Sequence, residues 1–323
     1  MRWNWMKNIY SVLTIGDGMI TMNPTVNGPL RFVTHFEKKI GGAELNFAIA
    51  CARLNLNSNW ISRLGRDEFG RYIYNFARGE GIDTNYVKLM EGHPTSVNFK
   101  EINENGSGRT FYYRHNSPIL TLTPEDIKEE LFENISLVHL TGVYMAIDKK
   151  NLEIIYKIIG IAKRKGIPIS FDPNIRLKLW DIEDARIAYN SVFPNIDILL
   201  TGLDEIELIT GLSSEPELEF FAKRNNISEL VIKDGEKGSK LYTGNKWIYQ
   251  EAFPVDVVDT VGAGDGFNAG YVYSFLHGKS DVDKLKFANA VGSFVTTVSG
   301  DNEGLPYVEE VENFLNNKKG VER

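Results

Sequence analysis

Nine residues, Asp259-Thr260-Val261-Gly262-Ala263-Gly264-Asp265-Gly266-Phe267, carry the clearest chemistry in the chain. They follow an extended run, Phe253 to Val258, and open a helix-like run, Phe267 to Leu276. Glycines at 262, 264 and 266 permit a tight turn and bring backbone N–H groups close to a ligand. A helix beginning here adds unpaired N–H donors and the positive end of its dipole. Together they form an anion hole suited to phosphate. Asp265 then needs a reason, because a carboxylate repels a phosphate. Taking a proton from a hydroxyl that attacks the phosphate supplies one. The plainer reading is a glycine-rich turn with Asp265 as a helix cap.

Two other phosphate motifs are excluded. A dinucleotide fingerprint needs glycine at position 267, which is Phe267. Gly278-Lys279-Ser280 has the end of a P-loop, but Tyr273 stands where its first glycine belongs. His35, His93, His115, His139 and His277 form neither a metal spacing nor a triad.

The rest of the chain must position this loop. Its 323 residues, 42% hydrophobic, suffice for one large domain or a domain with a smaller attachment. Mixed charge with a net of −7 points away from nucleic acid and membrane surfaces. Cys51, the one cysteine, leaves no internal disulfide and suits a reducing cytoplasm; it reads as a small buried helix residue. No signal peptide or membrane-spanning run is read, and the polar end from Asn316 to Arg323 reads as frayed.

Ile9 to Ile15 reads as a buried strand ending at Gly16-Asp17-Gly18, and Arg31 to Lys38 as a second, shorter strand. Ala43 to Leu54 has helical spacing, Asn59 to Ser62 is a short strand, and Asp67 caps a helix through Arg78. Thr95 to Ile102 and Thr110 to Arg114 alternate around Asn103 to Gly108 and read as a hairpin. With the strand at 31–38, the 95–114 region forms a small sheet attached to the core, for which a lid is the natural role. After Pro124, strands at 137–140, 167–171, 196–200 and 229–233 alternate with helices at 149–165 and 182–192 and two shorter ones. Residues 284–299 and 307–316 read as closing helices. Such alternation implies a parallel sheet covered on both faces, with ligands bound beyond the carboxyl ends of the strands. Asp17, Thr141-Gly142, Asp172 to Arg176, Lys233 to Gly238 and Gly262 to Asp265 all fall at such ends and pool into one site.

With these residues in hand, the chain resembles the ribokinase-like (PfkB) carbohydrate kinases. Gly41-Gly42-Ala43-Glu44-Leu45-Asn46 and Arg63-Leu64-Gly65-x-Asp67-x-Phe69-Gly70 match the family's N-terminal pattern, and Asp259-Thr260-x-Gly262-Ala263-Gly264-Asp265 its C-terminal one. The resemblance implies a doubly wound, mostly parallel α/β core with a small β-sheet lid, ATP as donor and magnesium, with room for a monovalent cation. Gly42-Ala43-Glu44, Phe111-Tyr112-Tyr113-Arg114, the 171–180 stretch and Ser299-Gly300-Asp301-Asn302-Glu303-Gly304 are similar to 2-keto-3-deoxygluconate kinases. In that subfamily two arginines, here Arg114 and Arg176, hold the acid sugar, and the aspartate at 301 touches it. Two positions depart from the pattern: Gly202 stands where the family commonly has Asn, with Glu205 retained near the metal, and Asn98 replaces a lid tyrosine.

Phosphoryl transfer needs positioning, charge neutralisation and a proton acceptor. Asp265 is the expected base, and the N–H groups of Gly262, Ala263 and Gly264 the expected oxyanion hole. Asp17, Gly42, Asn46, Tyr112, Arg114, Arg176, Asp265 and Asp301 are expected on the acceptor. Arginine suits a carboxylate because its planar fork gives two parallel hydrogen bonds. Tyr112 is chosen over Tyr113 because it shares a strand face with Arg114. Asp172, Asn174, Lys233, Gly235, Lys237, Gly238, Gly262, Gly264 and Asn289 are expected on ATP, and Glu205 on magnesium, directly or through water. The partners read are a sugar acid, ATP and a second copy of the chain through the lid. A sibling kinase for fructose or 5-keto-2-deoxygluconate is the alternative, and a non-catalytic sugar-binding regulator the reading from another class. A nucleoside kinase fits less well, since the lid has no added aromatic platform for a base.

Overall fold

The structure is a computed structural model that describes residues 10–103 and 108–316. The expected hairpin turn at 104–107, the start of the first strand and the polar tail beyond 316 lie outside the described residues.

The strands are β1 Ser11–Ile15, β2 Met19–Pro24, β3 Phe36–Gly41, β4 Asn57–Gly65, β5 Val87–Met90, β6 Ser96–Ile102, β7 Gly108–Tyr113, β8 Leu137–Thr141, β9 Ile169–Asp172, β10 Ile198–Gly202, β11 Glu229–Lys233, β12 Ser239–Thr243 and β13 Lys246–Gln250. The helices are α1 Ala43–Arg53, α2 Glu68–Gly79, α3 Gly142–Ile147, α4 Asn151–Lys165, α5 Ile182–Val192, α6 Leu203–Thr210, α7 Glu215–Arg224, α8 Ala263–Leu276, α9 Asp281–Thr296 and α10 Val308–Leu315.

Nine strands form one sheet in the order β13-β12-β11-β10-β9-β8-β1-β4-β5. The pairs from β5 to β11 are parallel, and β12 and β13 add an antiparallel edge. Alternation along each strand sends side chains to two separate cores. Leu13, Leu199, Leu230 and Ile232 pack with α4, α5, α6 and α7 on one face. Val12, Leu200 and Val231 pack with α1, α8, α9 and α10 on the other. This is the expected doubly wound core.

Strand order reverses at β1. The chain runs from β1 outward to β4 and β5, then returns to place β8 on the other side of β1. The carboxyl ends of β1 and β8 therefore splay apart and leave a crevice, the usual ligand position in such a sheet.

A separate sheet, β3-β2-β6-β7, stands over that crevice. Its register differs from expectation. The strand expected at 31–38 is Phe36–Gly41, and residues 30–32 form a short 3-10 turn directly after Pro29. β2 was not read from the sequence. It pairs with β3 on one side and β6 on the other, so it is the centre of the lid. The β12–β13 hairpin was also not read. The extended run at 253–258 joins no strand.

Candidate active site

Gly262 is the N-cap of α8 with φ at +80°, a left-handed conformation that glycine adopts without strain. A Cβ there would collide with the backbone carbonyl of Asp301. The turn and the start of α8 thus depend on this glycine, and the Ala263 N–H closes the turn by donating to the Thr260 carbonyl at 3.3 Å.

Asp265 lies in the first turn of α8 and is 8% exposed. Its Oδ2 accepts a hydrogen bond from Asn46 Nδ2 at 2.9 Å. Loss of water raises its pKa to about 7; the Asn46 bond lowers it only in part, and the charge of Asp172 adds to the rise. A carboxylate with a pKa near neutrality is suited to accept and release a proton at cellular pH.

Two cavities meet at this loop. The first is about 270 Å³, and Val261, Gly262 and Asp265 form part of its wall. The second is about 850 Å³ and is walled by Thr260, Ala263, Gly264 and Phe267. The glycine-rich turn is the partition between them.

The small cavity gathers every residue expected on the acceptor: Asp17, Gly42, Asn46, Tyr112, Arg114, Arg176, Asp265 and Asp301. Asp17 lies two residues beyond β1 and is 2% exposed. It accepts from Ser96 Oγ at 2.7 Å and Arg114 Nη2 at 3.0 Å. Burial still holds its pKa above the ordinary value, outweighing the pull of Arg114. Arg114 follows β7 directly and keeps a buried Nε with no partner among the described residues. Tyr112 lies with its ring centroid 5.9 Å from the Arg114 guanidinium, on the inner lid face as its register with Arg114 requires. Arg176 is exposed, and among the described residues its side chain donates one hydrogen bond, to the adjacent Ile175 carbonyl at 3.1 Å. Its fork remains open to a ligand.

Lys100, Asn98 and Glu44 also line this cavity, with no contact expected of them. Lys100 on β6 pairs with Asp301 at 2.7 Å. Asn98, the departure from tyrosine, donates to Thr21 Oγ1 at 3.1 Å and approaches Met19 Sδ at 3.0 Å. Its Oδ1 is buried without a partner among the described residues. Glu44, 1% exposed, accepts from the Thr141 hydroxyl, and burial raises its pKa to about 7. Its carboxyl packs where a side chain at Gly16 would stand. The matched motif pointed to Glu44 without giving it a task; nothing in the lid sequence marked Lys100.

The large cavity is walled by Lys233, Gly235, Gly238, Gly264 and Asn289, together with Phe253, Val255 and Val257. The unpaired 253–258 run thus serves as cavity wall rather than strand. Asn289 donates from Nδ2 to the carbonyls of Gln250 and Glu251 at 3.1 and 3.2 Å. Asp172, Asn174 and Lys237, also expected at the nucleotide, wall neither cavity. Asp172 accepts from Lys233 Nζ at 2.9 Å, Asn268 Nδ2 at 2.6 Å and the Asn174 N–H at 3.1 Å, and so holds Lys233 from beneath. Lys237 points outward to Asp234 at 3.5 Å.

Glu205 has its two carboxylate oxygens on backbone N–H groups, Ile175 at 2.9 Å and Gly202 at 3.0 Å. With Gly202 in place of an asparagine, Glu205 closes the N-terminus of α6 itself. Among the described residues, no group of three or more His, Cys, Asp or Glu side chains could hold a metal ion. The residues present do not fit a protein-built magnesium cage, and Glu205 reads as a backbone clamp.

A helix start shared by a small polar cavity and a larger one suits a phosphotransferase acting on a small hydroxylated acceptor. Residues 10–307 match the pfkB family carbohydrate kinases, and the chain belongs to that family. Among curated relatives, the 2-dehydro-3-deoxygluconokinase of Thermoproteus tenax is 34% identical over 309 residues, 94% of each chain. A 5-dehydro-2-deoxygluconokinase of Clostridium perfringens is 29% identical across 97% of this chain and 95% of its own. An uncharacterized sugar kinase from Pyrococcus horikoshii, solved in complex with ATP, has a TM-score of 0.79 at 26% identity, covering 93% of this chain and 96% of that one.

Proposed function

We propose that the protein is an ATP-dependent kinase of 2-keto-3-deoxygluconate that phosphorylates the terminal hydroxyl to give the 6-phosphate. One observation carries the reading: Arg114 and Arg176 wall the same small cavity as Asp265. A carboxylate entering such a cavity loses water, and a charged, hydrogen-bonded partner offsets that loss. The open fork of Arg176 and the unpartnered Nε of Arg114 supply donors for it.

The sugar would lie under the lid with its carboxylate toward the arginines and its terminal hydroxyl toward Asp265. ATP would occupy the larger cavity, with its transferring phosphoryl group at the glycine turn. The hydroxyl oxygen attacks the γ-phosphorus, Asp265 takes the proton, and the bond to the bridging oxygen of ADP breaks. N–H groups at the start of α8 hold the charge on the equatorial oxygens. Magnesium carried on ATP would neutralise phosphate charge.

A sibling kinase, for 5-keto-2-deoxygluconate or fructose, is the second reading. The ion pair between Arg114 and Asp17 favours the fructose member, because that pair neutralises one arginine before any acid arrives. The test is ADP release with ATP and a panel of sugar acids and neutral sugars. The highest kcat/KM on 2-keto-3-deoxygluconate is expected; 5-keto-2-deoxygluconate or fructose at the head of the panel transfers the assignment to that sibling.

A further inference from the structure

Two lid lysines reach the core at one place. Lys100 on β6 pairs with Asp301, and the two side chains are only 16% and 12% exposed. Lys39 on β3 donates to the Ser299 carbonyl at 2.8 Å and stands 3.5 Å from Glu303. The segment they hold, 299–303, does more than meet the lid.

Its backbone also supports the phosphate loop. The Asp301 carbonyl fills the space beside Gly262 that a Cβ would need. The Gly300 N–H donates to Asp259 Oδ2 at 3.2 Å. The next residue turns toward the base. Asn302, 2% exposed, donates from Nδ2 to the Ile40 carbonyl at 2.8 Å, at the end of β3. The same nitrogen approaches Asn46 Oδ1 at 3.5 Å, and Asn46 in turn donates to Asp265. Residues 300–302 therefore touch the lid, the glycine turn and the partner of the base within three positions.

We propose that Lys100 is a positioning residue for phosphoryl transfer: by pairing with Asp301 it ties the lid to segment 299–302, which fixes the Gly262 turn and the Asn46–Asp265 contact. The physical reason is the cost of an unpaired buried charge. Asp301 without Lys100 is a carboxylate 8% exposed with no cation at hydrogen-bond distance among the described residues. Its relief is to take a proton or to move toward water, and either way the tie that holds its carbonyl behind Gly262 is lost. Lid closure and completion of the anion hole become one event, so the turn is held in place when the lid is down. Lys39 alone does not replace this link, since it grips Ser299 and Glu303 at the rim and not the residue against the turn.

The proposal rests on the kinase reading for its kinetic consequence but not for its structural one, and the experiment separates them. Hydrogen exchange is measured on wild type, Lys100→Met and Lys100→Arg, with peptides covering 258–266, 299–304 and β10. In Lys100→Met, exchange in 258–266 and 299–304 is expected to quicken about tenfold or more while β10 is unchanged; Lys100→Arg, which keeps the charge, stays near wild type. Turnover in the same variants should show kcat lowered about thirtyfold in Lys100→Met, the usual scale for breaking one buried charge pair, with most of it recovered in Lys100→Arg. Quickening confined to the lid strands, or spread equally to β10, overturns the proposal. So does a Lys100→Met variant whose sugar KM rises while kcat and exchange at 258–266 stay at wild-type values, since Lys100 would then be a substrate contact only. Absence of turnover on any sugar in wild type would end the kinase reading, and the exchange arms would still decide the role of Lys100.

Discussion

Asp265 sits where a carboxylate is least comfortable, and its chemistry follows from that. Burial raises its pKa to about 7, so the base form fills as pH rises through neutrality. kcat/KM should climb about tenfold per pH unit below that point and level above it. Glu44 shares the cavity and a pKa of about 7, so the apparent value belongs to the pair. Glu44→Gln should keep the acid limb and shift it downward, because one like charge is gone; Asp265→Asn should lose about 10²–10⁴ in kcat with ATP affinity retained. A pH–rate profile of the three enzymes checks this, and near-normal turnover in Asp265→Asn removes it as base. The same shift costs stability. Between the ordinary value of 3.8 and about 7 the native state holds a proton that the unfolded chain has released, so stability falls as pH rises through that window. Asp265→Asn has no such proton to lose and should gain in Tm relative to wild type at pH 8, but not at pH 4.

At the scale of elements, the sequence was most readable where a helix or strand is fixed by local signals. α5 and β11 fall at the expected residues, 182–192 and 229–233. Asp67 caps α2 as expected, accepting from the Gly70 N–H at 2.7 Å. The lid was least readable. β2, Met19–Pro24, is a six-residue strand too short and too weakly alternating to stand out, and its partner β6 lies far along the chain. β3 carries Glu37, Lys38 and Lys39, so its pattern does not separate it from the preceding turn. Glu205 marks the limit of motif reading. Its identity survives where Gly202 replaces asparagine, but its oxygens answer to two backbone N–H groups. Glutamine has one acceptor oxygen, so Glu205→Gln leaves either Ile175 or Gly202 facing an amide donor. The sugar-acid KM should rise about tenfold through the neighbouring Arg176, on the scale of a lost charged hydrogen bond, with the magnesium titration unmoved. A shifted magnesium midpoint would return Glu205 to the metal.

Across the whole molecule, parallel strands bring distant residues to one edge of the sheet. Asp17 and the glycine turn are far apart in sequence and wall one cavity, and Thr141 at the end of β8 holds Glu44 in that wall. That convergence was legible because strand ends could be read. The lid–core contacts through Lys100 and Asn302 were not, since an ion pair across 201 positions leaves no local periodicity. The lid's outer face, with Tyr113 at 61% and Phe111 at 40% exposure, is expected to cover a second copy of the chain. Light scattering should give a dimer for wild type and a monomer for Tyr113→Asp; a monomeric wild type would remove the lid from that role. The central claim concerns the acceptor, and one comparison tests it most directly: kcat/KM for 2-keto-3-deoxygluconate and for fructose in wild type and in Arg176→Ala. Removing one partner of a desolvated charge pair costs on the order of 2–5 kcal/mol, so the variant should lose at least about thirtyfold on the acid and far less on fructose. Equal losses on both sugars, or a wild type that prefers fructose, would contradict the account.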